Sequence, residues 1–218
     1  MHVGLLESLR CPAPHAASPL IAAVRQQSGR DVLEATLGCP VCHREVTVHR
    51  GVVTFGDVAP AAEAVIPTDD AALMRLGALL GLTTPGGTVA VSAAWSDLAR
   101  PLAVLTDVRV LVVGPPPGFL GDEDVGVLEG VRDLPLSPGS CRGVALGSSS
   151  AEAPSVVASW VRAVRVGGRV VAPATLPVPE GLRELARDDA QWVAERLADT
   201  SSAPVALTRA GAASRGQS

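Results

Sequence analysis

The chain has 218 residues, a net charge of −4 and a hydrophobic content of 47%. That length allows a sizeable core, and that hydrophobic content favours a packed globule over a disordered chain. With a negative net charge, the chain lacks the excess of basic residues that is typical of a nucleic-acid-binding protein. Aromatic residues, at 2%, are too few to stack on bases. No apolar run reaches the roughly 18 residues of a membrane span, and residues 1–4 lack the basic start of a signal peptide. These features predict a cytoplasmic protein, which also suits reduced thiols.

Residues with metal-ligand chemistry occur in two short motifs near the N-terminus. Cys39 and Cys42 form a Cys-x-x-Cys turn, and Cys11 precedes His15 in a Cys-Pro-Ala-Pro-His segment. Two thiolates can converge on one Zn²⁺, at about 2.3 Å each, only from a short loop. Three sulfurs and one nitrogen are the donor set of a tetrahedral structural site. The sequence therefore predicts structural zinc at Cys11, His15, Cys39 and Cys42.

Other interpretations of these motifs stay open at this point. His43, directly after Cys42, is a rival for the nitrogen ligand, and the plainest alternative is a set of unrelated buried thiols with an exposed His15. A redox pair is disfavoured because the Cys-x-x-Cys does not open a helix after a strand. A disulfide framework is disfavoured in a chain of this length with only four cysteines.

The elements expected in the N-terminal part follow from hydrophobic periodicity. Residues 18–33 carry an apolar face at Leu20, Ile21 and Val24 and are expected to be partly helical. Residues 45–49 alternate as a strand, and residues 51–56 form a second short strand after a turn. An Ala/Pro-rich stretch follows. The sequence thus predicts a zinc-ribbon domain over residues 1–58 and a linker over 59–68.

This first part resembles a known family. Residues 5–12 (LLESLRCP) and 39–46 (CPVCHREV) look like the two knuckle regions of the small zinc-ribbon proteins that activate tRNA, rRNA and translation-factor methyltransferases, and residues 51–53 (GVV) stand where that family has a Gly-Ile-Pro turn. The resemblance covers residues 1–56. It implies knuckle positions at Cys11, Cys39 and Cys42, with His15 one residue late for the fourth. It also implies a partner-binding ribbon without chemistry of its own.

The second part of the chain alternates strands and helices. Expected helices cover residues 67–81 (with Thr68 as N-cap and Gly81 after the end), a segment opening at Ser96, 152–165 (ended by Gly167 and Gly168) and 180–197. Expected strands cover residues 88–92, 108–113, 143–146, 169–172 and 205–208. Apolar strands separated by helices indicate a mostly parallel sheet covered by helices on both faces. The predicted α/β domain spans residues 69–210, and residues 211–218 form a frayed tail.

Two stretches of this domain carry a second resemblance. Residues 133–146 look like the segment that leads into the fourth strand of class I S-adenosylmethionine methyltransferases. Residues 160–171 look like the following helix and glycine turn into the fifth strand. The resemblance covers residues 70–208 and implies a Rossmann-like methyltransferase fold, with a site for S-adenosylmethionine.

Several positions depart from that family's pattern. Residues 92–95 (SAAW) replace the Gly-x-Gly loop that lets a cofactor approach the backbone. After strand two, where an acidic residue binds the ribose, residues 114–118 read GPPPG. The adenine-facing acid falls near Gly130, with Glu129 one position off, and Arg142 replaces the acid before strand four. The short Pro/Gly-rich connection between strands two and three leaves little room for a crossover helix. Together these departures argue against a standard cofactor site.

The sequence therefore predicts a non-catalytic interaction or regulatory protein, a pseudoenzyme with no catalytic residue, a structural zinc and a protein partner. That partner is a methyltransferase or a second copy of the chain. The alternative is an active S-adenosylmethionine-dependent methyltransferase with an atypical pocket around residues 92–95 and 114–118. A third hypothesis is that the ribbon activates a separate methyltransferase. With two independent domains, a chelator would unfold the ribbon while the larger domain persists.

Overall fold

The computed structural model describes residues 1–56, 66–148 and 153–198. The helices in these ranges are α1 (Val3–Ser8), α2 (Asp70–Leu80), α3 (Ser96–Thr106) and α4 (Pro154–Ala163), with a 3-10 turn at Ala93–Trp95. The strands are β1 (Ile21–Ser28), β2 (Asp31–Gly38), β3 (Glu45–His49), β4 (Val52–Thr54), β5 (Thr88–Ser92), β6 (Arg109–Val113), β7 (Val125–Glu129), β8 (Cys141–Ala145), β9 (Val164–Pro173), β10 (Leu182–Arg187) and β11 (Gln191–Arg196). None of the helices within these ranges is long and apolar enough to cross a membrane.

The described strands form one sheet in the order β1-β2-β3-β4-β7-β6-β5-β8-β9-β11-β10. The centre, from β4 through β7, β6, β5 and β8 to β9, is parallel. An antiparallel meander, β1 to β4, forms one end of the sheet, and β11 and β10 continue it beyond β9 by antiparallel pairing. The prediction of a Rossmann-like, largely parallel central sheet is confirmed.

The sheet separates two hydrophobic cores because successive side chains along a strand point to opposite faces. In β6, Val110 and Val112 belong to one core, whereas Leu111 and Val113 belong to the other. The first core is covered by α2 and α3 through Leu76, Leu80, Leu98 and Leu102. The second core is covered by α1 and α4 through Leu5, Leu6, Val157 and Trp160. Helices therefore lie on both faces, as the sequence predicts.

The N-terminal part is built into this sheet. Strand β4 pairs in parallel with β7, from Val52 beside Val127 to Thr54 beside Glu129. Helix α1 packs directly on β7, since a Cβ added at Gly126 would lie 2.9 Å from both Leu5 Cδ1 and Met1 Sδ.

Helix α1 covers a face that a crossover helix would otherwise cover. A right-handed connection from β7 to β8 passes over the face opposite α3, and residues 130–140 make that connection without a helix. Residues 114–124, between β6 and β7, contain no helix either, as the short sequence there predicts. The division into domains at residues 1–58 and 69–210 stays a prediction, but strands from both parts share one sheet.

The expected helix over residues 18–33 is wrong. Residues Ile21–Ser28 form β1, which pairs antiparallel with Asp31–Gly38. The hairpin turns at Gly29, whose φ of 57° is readily adopted by glycine. The apolar spacing of this segment fits a helix face, but pairing with β2 decides its conformation, as tertiary context commonly does.

The expected helix over residues 180–197 is also wrong, because the segment forms the β10–β11 hairpin. The Oδ1 atom of Asp188 accepts hydrogen bonds from the backbone N–H groups of Ala190 at 2.8 Å and Gln191 at 2.9 Å. This Asx turn reverses the chain. Trp192 and Ala194 are then fully buried against β9.

The other expected elements within the described ranges are confirmed, with shifted ends. Asp69, not Thr68, caps α2, with its Oδ1 2.7 Å from the backbone nitrogen of Ala72. Gly81 ends α2 in the left-handed conformation, as predicted. Helix α4 ends at Ala163, so the glycines at 167 and 168 lie inside β9. The expected strand 205–208, the tail and most of the linker lie outside the described residues.

Arginine guanidinium groups hold the ends of several elements in this lysine-free chain. Arg169 donates to the carbonyl of Ala78 at the end of α2, at 2.9 Å, and Arg196 donates to the carbonyl of Arg162 at the end of α4, at 2.7 Å. Such contacts satisfy helix C-terminal carbonyls. Arg142, which stands where a methyltransferase has an acid, donates to the carbonyl of Gly86 at 2.7 Å in the turn before β5.

The close packing where β4 and β7 end requires a glycine at position 130. A Cβ at this position would lie 1.9 Å from the carbonyl oxygen of Gly56, and its φ is +68°. Gly118 has a φ of +82° with no atom within 4 Å of an added Cβ. Gly118→Ala is expected to lower the free energy of unfolding by about 1–2 kcal/mol through backbone strain. Gly130→Ala is expected to cost about 1–3 kcal/mol more through overpacking. Urea unfolding of both variants measures the difference, and equal losses would contradict the close approach.

Candidate metal centre and cofactor crevice

The folded chain brings Cys11, His15, Cys39 and Cys42 together. Their ligand atoms all lie within 4.8 Å of one another. The Sγ atoms of Cys11 and Cys42 are 3.6 Å apart, and Cys39 Sγ is 3.5 Å from His15 Nε2. Ligand atoms around a tetrahedral zinc ion lie about 3.3–3.8 Å apart, given bonds of about 2.0–2.3 Å. Two pairs have this spacing and the remaining ligand atoms lie within 4.8 Å, so the cluster could hold one such ion.

Local backbone geometry positions each ligand pair. Cys39 follows β2 directly, and its backbone N–H donates to the carbonyl of Arg44 at 2.9 Å, which closes the turn into β3. His43 adopts a φ of 59° in that turn and donates its backbone N–H to the carbonyl of Cys39 at 3.0 Å. Cys11 follows α1, and its backbone N–H donates to the carbonyl of Ser18 at 2.9 Å. The two closed loops aim their side chains at a common point.

The electrostatics of the turn lower the pKa of two of the cysteines. Burial raises the pKa of the Cys39 thiol, but hydrogen bonds from the backbone N–H groups of Cys42 and Val41, and from neighbouring thiols, lower it to about 6. A hydrogen bond from the backbone of Arg44 lowers the pKa of Cys42. Burial raises the pKa of Cys11 to about 11. Zinc binds the thiolate form, so Cys11 has to lose a proton on binding.

His15 is oriented by a neighbouring carbonyl. Its Nδ1 lies 2.7 Å from the carbonyl oxygen of Ala16, while its Nε2 faces Cys39. A proton on Nδ1 leaves the electron pair of Nε2 for a metal, which is the usual support for a ligating histidine. The cluster includes His15 and does not include His43. The fourth cysteine, Cys141, is fully buried elsewhere, and burial raises its pKa to about 12.

A cofactor in an open α/β sheet binds where the strand order reverses, beyond the carboxyl ends of the strands. In this sheet the reversal lies at β5, which pairs with β6 on one side and β8 on the other. Residues 92–95 leave β5 at that point, and Leu146 and Gly147 leave β8. The crevice between these ends is the position at which the resemblance implies S-adenosylmethionine.

Side chains from the loop after β5 lie across this crevice. Trp95 is only 6% exposed, and its indole Nε1 lies 3.4 Å from the carbonyl oxygen of Leu146. The buried Ser92 Oγ accepts a hydrogen bond from the backbone N–H of Gly147 at 2.8 Å. Instead of pointing away from β8, the indole reaches toward it. The loop is thus joined to the end of β8 by two contacts.

Of the remaining cofactor positions, the one after β6 and the one before β8 carry no carboxylate, and the one after β7 falls at Gly130, next to Glu129. Residues 114–118 after β6 contain none, and Gly114 uses its backbone N–H to bond the carbonyl of Leu128 at 2.9 Å. Glu129 ends β7 beside β4, where its carbonyl accepts from the N–H of Phe55 at 2.9 Å. Arg142 lies near the start of β8, at the opposite end of the strand from the crevice. These residues do not fit a ribose and adenine in the manner the resemblance implies.

The sequence did not indicate a cavity of about 380 Å³ beside the metal cluster. His15 and Arg10 line one wall, Asp133 a second, and Ser155 and Arg162 of α4 a third. Because these walls come from three separate segments, periodicity and motif spacing carry no signal for it.

Comparison with known proteins yields fold neighbours alone. No family profile matches the chain, and no curated protein matches it significantly. A structure of geranyl diphosphate methyltransferase in complex with SAM is 21% identical, aligns over 47% of each chain and has a TM-score of 0.39. This chain thus spans about half the length of that enzyme.

Two further solved structures are also methyltransferases. One, from Methanococcus maripaludis and described as S-adenosyl-L-methionine-dependent, is 8% identical, with 61% of this chain and 86% of that chain aligned and a TM-score of 0.44. The antibiotic-resistance methyltransferase Kmr is 15% identical, with 65% and 98% aligned and a TM-score of 0.40. These likenesses are distant, and the assignment of a Rossmann-like α/β fold rests on the strand order and the two helix-covered faces.

The metal cluster predicts one zinc ion per chain. Cys42→Ser is expected to abolish the metal content of protein purified without added zinc, because it removes one of four donors. His43→Ala is the matched control, since it alters the adjacent residue and leaves all four donors in place. Elemental analysis measures both. A metal-free wild-type chain, or equal loss in the two variants, would contradict the assignment.

Metal loading is also expected to depend on pH. The thiol of Cys11, with its pKa raised to about 11, carries a proton at neutral pH in the metal-free chain. Binding must release that proton, so apparent affinity rises with pH. Competition with a zinc-sensitive chelator dye at several pH values measures this slope. An affinity that is constant or falls with rising pH would contradict it.

Proposed function

We propose that this chain is a non-catalytic interaction or regulatory protein, in which a structural zinc stabilises a ribbon that is joined to a degenerate methyltransferase-like domain. The observation that carries the proposal is the closure of the crevice at β5 by Trp95 and the Ser92–Gly147 hydrogen bond.

The closed crevice supports the loss of catalysis. A nucleotide cofactor needs backbone without side chains after the first parallel strand, and a carboxylate after the next to bind the ribose. This chain has a buried indole at the first place and a Gly-Pro segment at the second. A reaction that requires S-adenosylmethionine would need Trp95 to leave the core, which is costly for a large aromatic side chain.

The coordination set supports a structural role for the metal. All four positions come from protein side chains, which leaves none open for a substrate. The ion would tie the β2–β3 turn to the loop after α1. That loop is anchored to the α/β part, since the backbone N–H of Arg10 donates to the carbonyl of Pro135 and that of Ser137 to the carbonyl of Ser8, both at 2.8 Å.

The contacts of the ribbon with its own α/β part limit which of its surfaces can bind a partner. Strand β4 has β3 on one side and β7 on the other, and α1 lies on β7. These surfaces are used within the chain, which disfavours a ribbon that activates a separate methyltransferase through them. We propose that the ribbon serves its own α/β part in this way and that a partner, a methyltransferase or a second copy, binds elsewhere.

Titration with S-adenosylmethionine separates the proposal from the active-enzyme alternative. Isothermal calorimetry of the zinc-loaded chain is expected to show no binding at millimolar ligand, because the indole and the missing carboxylates leave no site. Micromolar binding would overturn the non-catalytic function and favour a methyltransferase with an atypical pocket. A methyltransferase of known affinity in the same buffer serves as the positive control.

Removal of the metal is expected to destabilise the whole chain, rather than the ribbon alone. The chain has three tryptophans, at positions 95, 160 and 192, and all of them lie in the α/β part. Because β4 and α1 share the sheet and the core with that part, their release exposes its buried surface. A chelator should therefore lower the thermal midpoint reported by tryptophan fluorescence, in a single transition.

A tryptophan transition unchanged by the chelator, beside a separate early loss of β-structure in circular dichroism, would instead indicate two independent domains. The control is the chelator pre-saturated with zinc, which should leave the midpoint unchanged.

A further inference from the structure

The two edge strands of the sheet, β1 and β10, differ in the charge of their exposed side chains. All eight residues of β1 are exposed, and among the described residues no segment pairs with its outer side. An edge strand presents unpaired backbone N–H and C=O groups that can bind another strand. Proteins usually protect such edges with charges, bulges or covering segments.

Strand β10 has this protection, and the first half of β1 does not. Arg183 of β10 pairs with Glu195 at 2.5 Å, and Arg187 pairs with Glu184 at 2.9 Å. Strand β1 carries one charged residue, Arg25, whose guanidinium turns inward to Thr36 Oγ1 on β2 at 3.1 Å. The first half of the strand has exposed apolar side chains, with Ile21 62% and Val24 45% exposed.

The metal cluster lies at one end of this edge. Ile21 pairs with Gly38, the residue before Cys39. Val41, within the Cys-x-x-Cys turn, is 59% exposed. The uncharged half of β1 and the tip of the turn therefore lie at the same end of the β1–β2 hairpin, and both carry exposed apolar side chains.

We propose that two copies of this chain pair antiparallel through β1, about a two-fold axis, and so extend one sheet across both copies. This inference names the partner for the interaction role proposed above and rests on that role, but it does not depend on the metal or the cofactor.

Charge and symmetry select a second copy at this edge. A two-fold axis generates antiparallel pairing of a strand with itself and closes the assembly at two copies. Contact of β1 with β10 of another copy would be heterologous and would not close. Contact of β10 with β10 would bring two charged strands together. Only β1 against β1 joins two strands whose facing segments are almost free of charge.

The position of the axis follows from the strand itself. Residues directly opposite each other in antiparallel strands alternate between hydrogen-bonded and non-hydrogen-bonded pairs, so a two-fold axis must pass midway between one residue and the same residue of the second copy. Ala23 is the central choice, because the buried Leu20 limits the pairing on one side and a bulge after Val24 limits it on the other. Val24 then faces Ala22 of the second copy, and each Arg25 faces Ile21 instead of the other Arg25.

The test is sedimentation equilibrium of the full zinc-loaded chain and its variants. The wild-type chain is expected to sediment as a dimer. Ala23→Lys and Ala23→Glu should each be monomeric, because like charges directly opposite destabilise the pairing. A one-to-one mixture of the two variants should restore a dimer. Leu185→Lys, on the opposite edge strand and 41% exposed, is the matched control and should stay dimeric.

Each result decides the inference. A monomeric wild-type chain, a dimer that survives both Ala23 variants, or a mixture that stays monomeric would overturn it. Ala23 is exposed, so the variants are expected to fold, and circular dichroism checks this. Metal content and cofactor titration do not enter this experiment, so its failure leaves the non-catalytic function intact and a failure of that function leaves the dimer intact.

Discussion

The pairing of β4 with β7 is the contact on which the rest of the structure depends. It is short, from Val52–Thr54 beside Val127–Glu129, yet it joins an antiparallel meander to a parallel sheet. The chain crosses from β7 to β8 without a helix, and α1 of the N-terminal part covers the exposed face instead. A parallel sheet needs both faces covered. The N-terminal part therefore completes the core of the α/β part, and the loop that carries Cys11 is joined to the α/β part by the hydrogen bond from Arg10 to Pro135.

Close packing between separate segments also occurs at the carboxyl ends of the central strands. Methyltransferase-like folds leave the carboxyl ends of their central strands free for a cofactor, at the reversal of strand order. Here the end of β5 is packed against the end of β8 by an indole and a serine hydroxyl. This packing adds buried apolar surface to a domain with few helices, which stabilises the fold.

Much of the candidate site could be predicted from the sequence because its chemistry is local. The Cys-x-x-Cys turn constrains two ligands by itself, and the structure adds Cys11 and His15 within reach. The absence of a glycine loop could also be predicted, because residues 92–95 contain no glycine. Strands with strong apolar runs, such as β6, were also predictable, since continuous burial leaves a clear pattern. The two helices predicted at 18–33 and 180–197 failed because their apolar spacing fits either state, and partner strands decided between them.

By itself the sequence determined three candidate metal ligands, Cys11, Cys39 and Cys42, the absence of a glycine loop at residues 92–95 and the alternation of elements in the α/β part. These properties depend on residue identity and on periods of a few residues. The tertiary structure alone decided that β4 joins β7, that α1 covers the face left without a crossover helix, and that His15 and not His43 lies in the cluster. It also decided that, within the part of the chain that the structure describes, no segment pairs with the outer side of β1. Each of these depends on contacts between segments far apart in the chain, for which no local pattern carries a signal.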